Sequence, residues 1–125
     1  MAKELRQKLG SMEYDGLITG LNPPTRVDGG TIAKLEAATV LKRGTLLGKS
    51  EDGLLSVYGG TGTPDCILCD DTEVGTDEDV PVDVYAAGCF DPEKVTVAED
   101  YAITQADKDK LRTYNIVFKA ATTAP

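Results

Sequence analysis

The run VPVDVYAA at residues 80–87 constrains the fold more than any other part of this sequence. Its apolar side chains recur at every second position, which is the period of a β-strand with one buried face. One face is formed by Val80, Val82, Val84 and Ala86, and the other by Asp83 and Tyr85. Pro81 has no backbone donor, so this strand should begin at a sheet edge. We therefore predict a sheet built around residues 80–87.

Other short apolar segments, separated by turn residues, predict further strands. The 13 glycines and 6 prolines, with no Trp, indicate short strands joined by tight loops. The predicted strands are residues 39–43, 45–49, 54–58, 66–69, 93–97 and 115–119. Residues 70–79 are expected to form an acidic loop and residues 88–92 a turn.

One helix is predicted in this part of the chain, over residues 105–114. Thr104 precedes it as the N-cap, and Asp107 stands three residues later, where an acidic side chain completes a capping box. Leu111 and Tyr114 share the face expected to be buried. The fold class that follows is mainly β, with a minor α component near the C-terminus.

The first thirty residues look different from the rest. Leu5, Leu9 and Met12 are spaced as on one face of a short helix, and the two prolines that follow Asn22 favour an extended linker. This stretch has too few apolar residues to form its own core. We expect residues 1–30 to be an extended arm that orders on a partner, and residues 31–125 to be one domain.

The charge narrows the range of partners. The chain has 21 acidic and 13 basic residues and a net charge of −8. Nucleic-acid affinity depends on Lys and Arg neutralising phosphates, so we expect no nucleic-acid binding. No apolar run is long enough to span a bilayer, and the first residues contain no apolar stretch of a secretory signal, so we expect no membrane association and synthesis in the cytoplasm.

Catalytic signatures are weak. The stretch from Gly44 to Ser50, GTLLGKS, ends like a phosphate-binding loop, but has three residues between its glycines where that loop needs four. The chain has no histidine, so the commonest general base is missing. We predict no catalytic residues and no cofactor.

Metal binding is not predicted either. Cys66, Cys69 and Cys89 are three thiols without a fourth ligand, whereas structural zinc takes four. They are expected to be buried free cysteines. The acidic run at residues 70–79 has Val74 where a calcium loop needs an oxygen ligand, so we expect a solvated turn.

Four segments together resemble the head decoration proteins of lambda-like tailed bacteriophages. The segments are residues 41–49 (LKRGTLLGK), 66–71 (CILCDD), 79–90 (DVPVDVYAAGCF) and the closing helix with 115–118 (NIVF). Cys66 stands where that family commonly has glycine. The resemblance extends over roughly two-thirds of the chain, from about Leu41 to Lys119.

The resemblance implies a β-clip-like fold and a homotrimer on the outer surface of the virion. The trimer would sit at three-fold and quasi-three-fold positions of the expanded head, bind the major capsid protein through the N-terminal arm, and stabilise the shell against DNA pressure. The residues expected to bind the capsid are Leu5, Leu9, Met12, Tyr14, Leu17, Ile18 and Leu21. Those expected at the trimer interface are Val82, Val84, Tyr85 and Phe90.

Two other classes stay open from the sequence. The chain could be another virion component, such as a tail or fibre module that binds receptors. It could also be a small nucleotide hydrolase on a β-clip scaffold, with Mg²⁺-dependent turnover that is lost when carboxylates such as Asp70 or Asp71 become Ala.

Overall fold

A computed structural model describes residues 16–20, 23–60, 62–99 and 101–119. This part of the chain is mainly β, as predicted, with one α-helix near the C-terminus. The strands are β1 (Ile18–Gly20), β2 (Arg26–Ile32), β3 (Thr39–Leu41), β4 (Leu46–Lys49), β5 (Leu55–Val57), β6 (Thr63–Leu68), β7 (Thr72–Val74), β8 (Val80–Phe90) and β9 (Ile116–Phe118). A short 3-10 helix covers Pro92–Lys94, and helix α1 covers Gln105–Arg112.

Five strands pair in a closed circuit. Strand β8 pairs with β2 and with β6, β6 pairs with β4, and β4 pairs with β5. The circuit is completed between β5 and β2, where Ile32 and Leu55 form the one residue pair. These strands therefore make a small barrel whose seam lies between β2 and β5. The short β3–β7 sheet stands apart from this circuit.

Two hydrophobic clusters use opposite faces of the same strands. The inner cluster takes residues from all five barrel strands and is formed by Ile32, Leu47, Leu55, Cys66, Leu68 and Val84, with Leu41 and Val74 from β3 and β7. The outer cluster includes the neighbouring positions Leu46, Ile67 and Tyr85. Successive side chains of a strand point to opposite faces, so the barrel wall is apolar on both sides.

The outer cluster is covered by elements outside the barrel. Helix α1 contributes Leu111 and β9 contributes Ile116, both with no exposed surface. The capping box predicted for α1 is confirmed, because Thr104 Oγ1 accepts from the Asp107 N–H and Asp107 accepts from the Thr104 N–H. Tyr114, expected on the buried face, follows the end of the helix and is 36% exposed.

The structure differs from the domain boundary expected at Thr31. Strand β1 pairs with β8 at Phe90 and Cys89, and β2 pairs with β8 along its full length. Strand β1 and the part of β2 before Thr31 thus belong to the sheet, because β8 is long enough to pair with both strands in succession.

Three local predictions were wrong. Strand β8 does not end at a turn near Gly88 but continues to Phe90, where β1 and β9 pair with it. Residues 93–97 form no strand: the 3-10 helix is followed by a single bridge between Thr96 and Thr45. The acidic loop contains β7, which pairs with β3.

Candidate functional site

The N-terminal segment joins the body at one end of β8. The Asp91 N–H donates to the Leu17 carbonyl over 2.8 Å, and the Thr19 hydroxyl donates to the Lys119 carbonyl over 2.8 Å. Gly16 and Lys119, which bound the described part of the chain, therefore both lie near this end of the sheet.

The residues expected to bind a capsid fall into two groups. Those outside the described residues are Leu5, Leu9, Met12, Tyr14 and Leu21. Leu17 is 2% exposed and belongs to the outer cluster, and Ile18 packs against that cluster and is half-buried. The prediction that Leu17 binds a capsid is therefore wrong, because a side chain inside the core cannot contact a second protein.

The residues expected at a trimer interface are mostly inside the molecule. Tyr85 and Phe90 have no exposed surface, and their rings pack with centroids 5.5 Å apart. Val84 is 4% exposed in the inner cluster, and Val82 is half-buried beside it. The prediction of an interface role is therefore wrong for three of these residues, which are core residues: Tyr85, Phe90 and Val84. Alternation indicated one buried face, whereas β8 has two.

Arg43 links the acidic segment at residues 70–79 to the barrel. Its guanidinium donates to the Cys69 carbonyl over 3.0 Å and to the Tyr85 hydroxyl, and lies 5.3 Å from the Tyr85 ring centroid. Its backbone N–H donates to Asp71 Oδ1 over 2.8 Å. Burial raises the pKa of Tyr85 to about 12, although Arg43 opposes the shift. The carboxylate of Asp71 thus holds the chain in place here.

The three thiols are buried, as predicted. Cys66, Cys69 and Cys89 are free and between 1% and 2% exposed. Burial raises the pKa of Cys66 well above its ordinary value and that of Cys69 to about 12. A thiol that is protonated and enclosed is a poor nucleophile.

The segment that ends like a phosphate-binding loop has a structural explanation. Its residues Leu46–Lys49 form strand β4, and no helix follows. Gly44 has φ of +93°, and a Cβ there would lie 2.7 Å from the Lys94 carbonyl oxygen. The glycine is therefore required by a close approach of two backbones.

Strand β2 has an edge beyond the barrel seam that no other described strand pairs with. Its other edge pairs with β8, and on this side the Ala33 N–H donates to the Leu55 carbonyl. Backbone groups alternate along a strand, so those of Val27 and Gly29 face this open side. The Gly29 N–H donates to Asp28 Oδ1 over 2.8 Å, and Val27 is 53% exposed. Among the described strands, none pairs with residues 26–30 on this side.

A shallow cleft lies beside this edge. It brings together two cations, Arg26 and Lys49, and two carboxylates, Asp28 and Asp65. Arg26 and Asp28 thus share one face of β2, and Val27 between them projects to the other. Sequence reasoning missed this surface, since residues 26–30 include two glycines and no alternating pattern.

A scan of family models and a search of curated proteins find no match for this chain. Within the described ranges, no three His, Cys, Asp or Glu side chains are grouped to hold a metal ion. The helical segments that the structure describes include none with the length and apolar character to cross a bilayer.

Proposed function

We propose that this chain is a capsid decoration protein of a tailed bacteriophage. It binds the outer surface of the expanded head as a trimer at three-fold and quasi-three-fold positions, contacts the major capsid protein, and stabilises the shell against the pressure of packaged DNA. It is synthesised in the bacterial cytoplasm and is located on the outer surface of the virion.

The observation that carries the proposal concerns the four segments that resemble the decoration proteins. They contain strands β4, β8 and β9 and the last three residues of β6. These strands pair consecutively: β4 with β6, β6 with β8, and β8 with β9. Segments scattered along the sequence thus make one continuous part of the sheet. A resemblance in the order of elements is stronger when those elements form a single structural unit.

The electrostatics are consistent with a protein partner. Residues 1–10 contain three basic residues and one acidic residue, so the remaining chain has a net charge of −10. A basic segment that leaves an acidic body at a fixed point can contact an acidic protein surface. Three such segments in a trimer bind together, so individually weak contacts add up through their effective concentration.

The hydrolase alternative has little support among the carboxylates. Asp71 accepts the backbone N–H of Arg43 and lies 3.7 Å from the Lys42 ammonium. A carboxylate with these neighbours maintains the turn, and no described group of ligands surrounds it to hold a metal ion.

Co-sedimentation tests the proposal. The full chain is mixed separately with expanded shells and with unexpanded procapsids of its phage. We expect it to saturate the expanded shells and not to bind the procapsids. Deletion of residues 2–14, which stops before Leu17 and leaves β1 in place, should abolish binding and preserve the fold. Val40→Asp, at an exposed side chain of β3, is the matched control and should bind normally.

Three results would contradict the proposal. Expanded shells that stay bare would refute it, and binding to tails or host cells instead would favour a tail or fibre component. Metal-dependent nucleotide hydrolysis that is lost in Asp70→Ala or Asp71→Ala would favour the hydrolase.

A further inference from the structure

We propose that the open edge of β2 is a self-association surface, at which two copies of this chain pair antiparallel about a two-fold axis at Val27. The inference rests on a strand edge that is unpaired among the described strands, and on the order of charges along it. An unpaired row of backbone donors and acceptors is a template for another strand.

The residues on this edge favour a second copy of the same chain. In an antiparallel pairing centred on Val27, the valine faces Val27 of the partner subunit, and Arg26 faces Asp28 of the partner subunit. The same ion pair forms a second time by symmetry, since a two-fold interface is self-complementary. Opposite charges in directly facing positions stabilise a strand pair.

Other registers are less favourable. A pairing centred on Asp28 would place two carboxylates opposite each other, which destabilises the pair. A pairing centred on Gly29 would place Asp28 opposite Gly30 and leave Arg26 without an acidic neighbour. The order Arg26, Val27, Asp28 therefore selects the register as well as the partner.

The edge is also limited in length. Pro23 and Pro24 precede Thr25, and proline cannot donate to a ladder, so pairing ends near residue 25. In the isolated chain the Asp28 carboxylate accepts the Gly29 N–H. On pairing, that N–H would donate to Thr25 of the partner subunit, and Asp28 would turn to Arg26 of the partner subunit.

Five residues on each side bury little surface, so the contact should be weak between free molecules. On a shell it would act differently. Neighbouring three-fold positions of a closed icosahedral lattice are related by local two-fold axes, which is the symmetry this contact needs. If the proposed decoration function holds, the β2 edge would join adjacent trimers, and the lattice would supply the effective concentration.

Cysteine cross-linking tests the surface on the full chain. Val27→Cys introduces an exposed thiol, while the three native thiols are buried. A short bis-maleimide should give covalent dimers through position 27. Val40→Cys, at a side chain 44% exposed on β3, is the matched control and should give few.

Charge reversal in the Val27→Cys background separates specific pairing from random collision. Arg26→Asp alone and Asp28→Arg alone should each lower the yield of dimers about tenfold, since each change places like charges opposite each other twice. The two changes together restore opposite charges and should restore the yield. Thermal unfolding of each variant checks that the fold is intact.

The inference is overturned if Val27→Cys cross-links no more than Val40→Cys, or if the double reversal stays as low as the single ones. Its failure is distinct from that of the proposed function. Dimers through position 27 together with bare shells would support the β2 pairing and refute the decoration role. Saturated shells without such dimers would support the decoration role and refute the pairing.

Discussion

The Tyr58 hydroxyl donates to Asp107 Oδ1 over 2.7 Å, and this bond ties the end of β5 to the first turn of α1. Oδ2 of the same carboxylate accepts from the Tyr101 hydroxyl and from the Thr104 N–H. The two tyrosine rings meet edge to face, with centroids 5.5 Å apart. Asp107 thus caps its own helix and holds that helix against the barrel.

Asp107→Asn should lower the free energy of unfolding by roughly 2 kcal/mol, because hydrogen bonds to a charged group are lost and the amide cannot accept all three donors. Urea unfolding at pH 7 measures the change. Asp109→Asn, on the exposed side of the same helix, is the matched control and should stay within about 0.5 kcal/mol of the parent. Equal effects of the two substitutions would show that the carboxylate of Asp107 does not hold α1 to the barrel.

Acid should weaken the protein partly through the same residue. Burial alone would raise the pKa of Asp107, but the hydrogen bonds from Tyr101, Thr104 and Tyr58 outweigh it and lower the pKa below its ordinary value. The carboxylate therefore stabilises the fold fully above the unfolded pKa of about 3.9, and this contribution is lost as the pH falls through the folded pKa. Urea unfolding between pH 6 and pH 2 should show a smaller loss of stability in Asp107→Asn than in the parent, and parallel curves would contradict this account.

The sequence was informative where one local signal determines one element. Alternation identified β8, and the spacing of Thr104 and Asp107 identified the start of α1. Strand β2 has two glycines and exposed charges, and it is extended because β8 offers it a partner along its length. Local propensity does not contain that information.

The candidate surfaces depended still more on tertiary structure. Tyr85 and Phe90 were expected at a trimer interface, but both pack in the outer cluster with Leu111 and Ile116 from distant elements. The open edge at residues 26–30 exists because β5 pairs with β2 only at Ile32, the last residue of β2. Which edge of a strand lacks a neighbour is decided only when all strands are placed.

The native thiols should not react with a thiol reagent at pH 8. Cys66, Cys69 and Cys89 are at most 2% exposed, and burial raises the pKa of Cys66 and Cys69, so little thiolate is present or accessible. Absorbance with an aromatic disulfide reagent should rise only after guanidinium is added, and then correspond to three thiols per chain. Rapid reaction of even one thiol in the folded protein would mean that the packing around that cysteine opens more readily than the structure indicates.

Two adjacent glycines of β2 offer a test of the barrel core. A Cβ at Gly30 would lie 2.6 Å from Leu55 Cδ1, inside the inner cluster, whereas a Cβ at Gly29 meets nothing within 4 Å. Gly30→Ala should therefore lower the free energy of unfolding by about 1–3 kcal/mol through overpacking. Gly29→Ala should be neutral or stabilise by about 0.5 kcal/mol, because alanine restricts the unfolded chain. Urea unfolding of both variants decides the point: a harmless Gly30→Ala would mean that the Leu55 side chain can move aside at the seam without loss of packing.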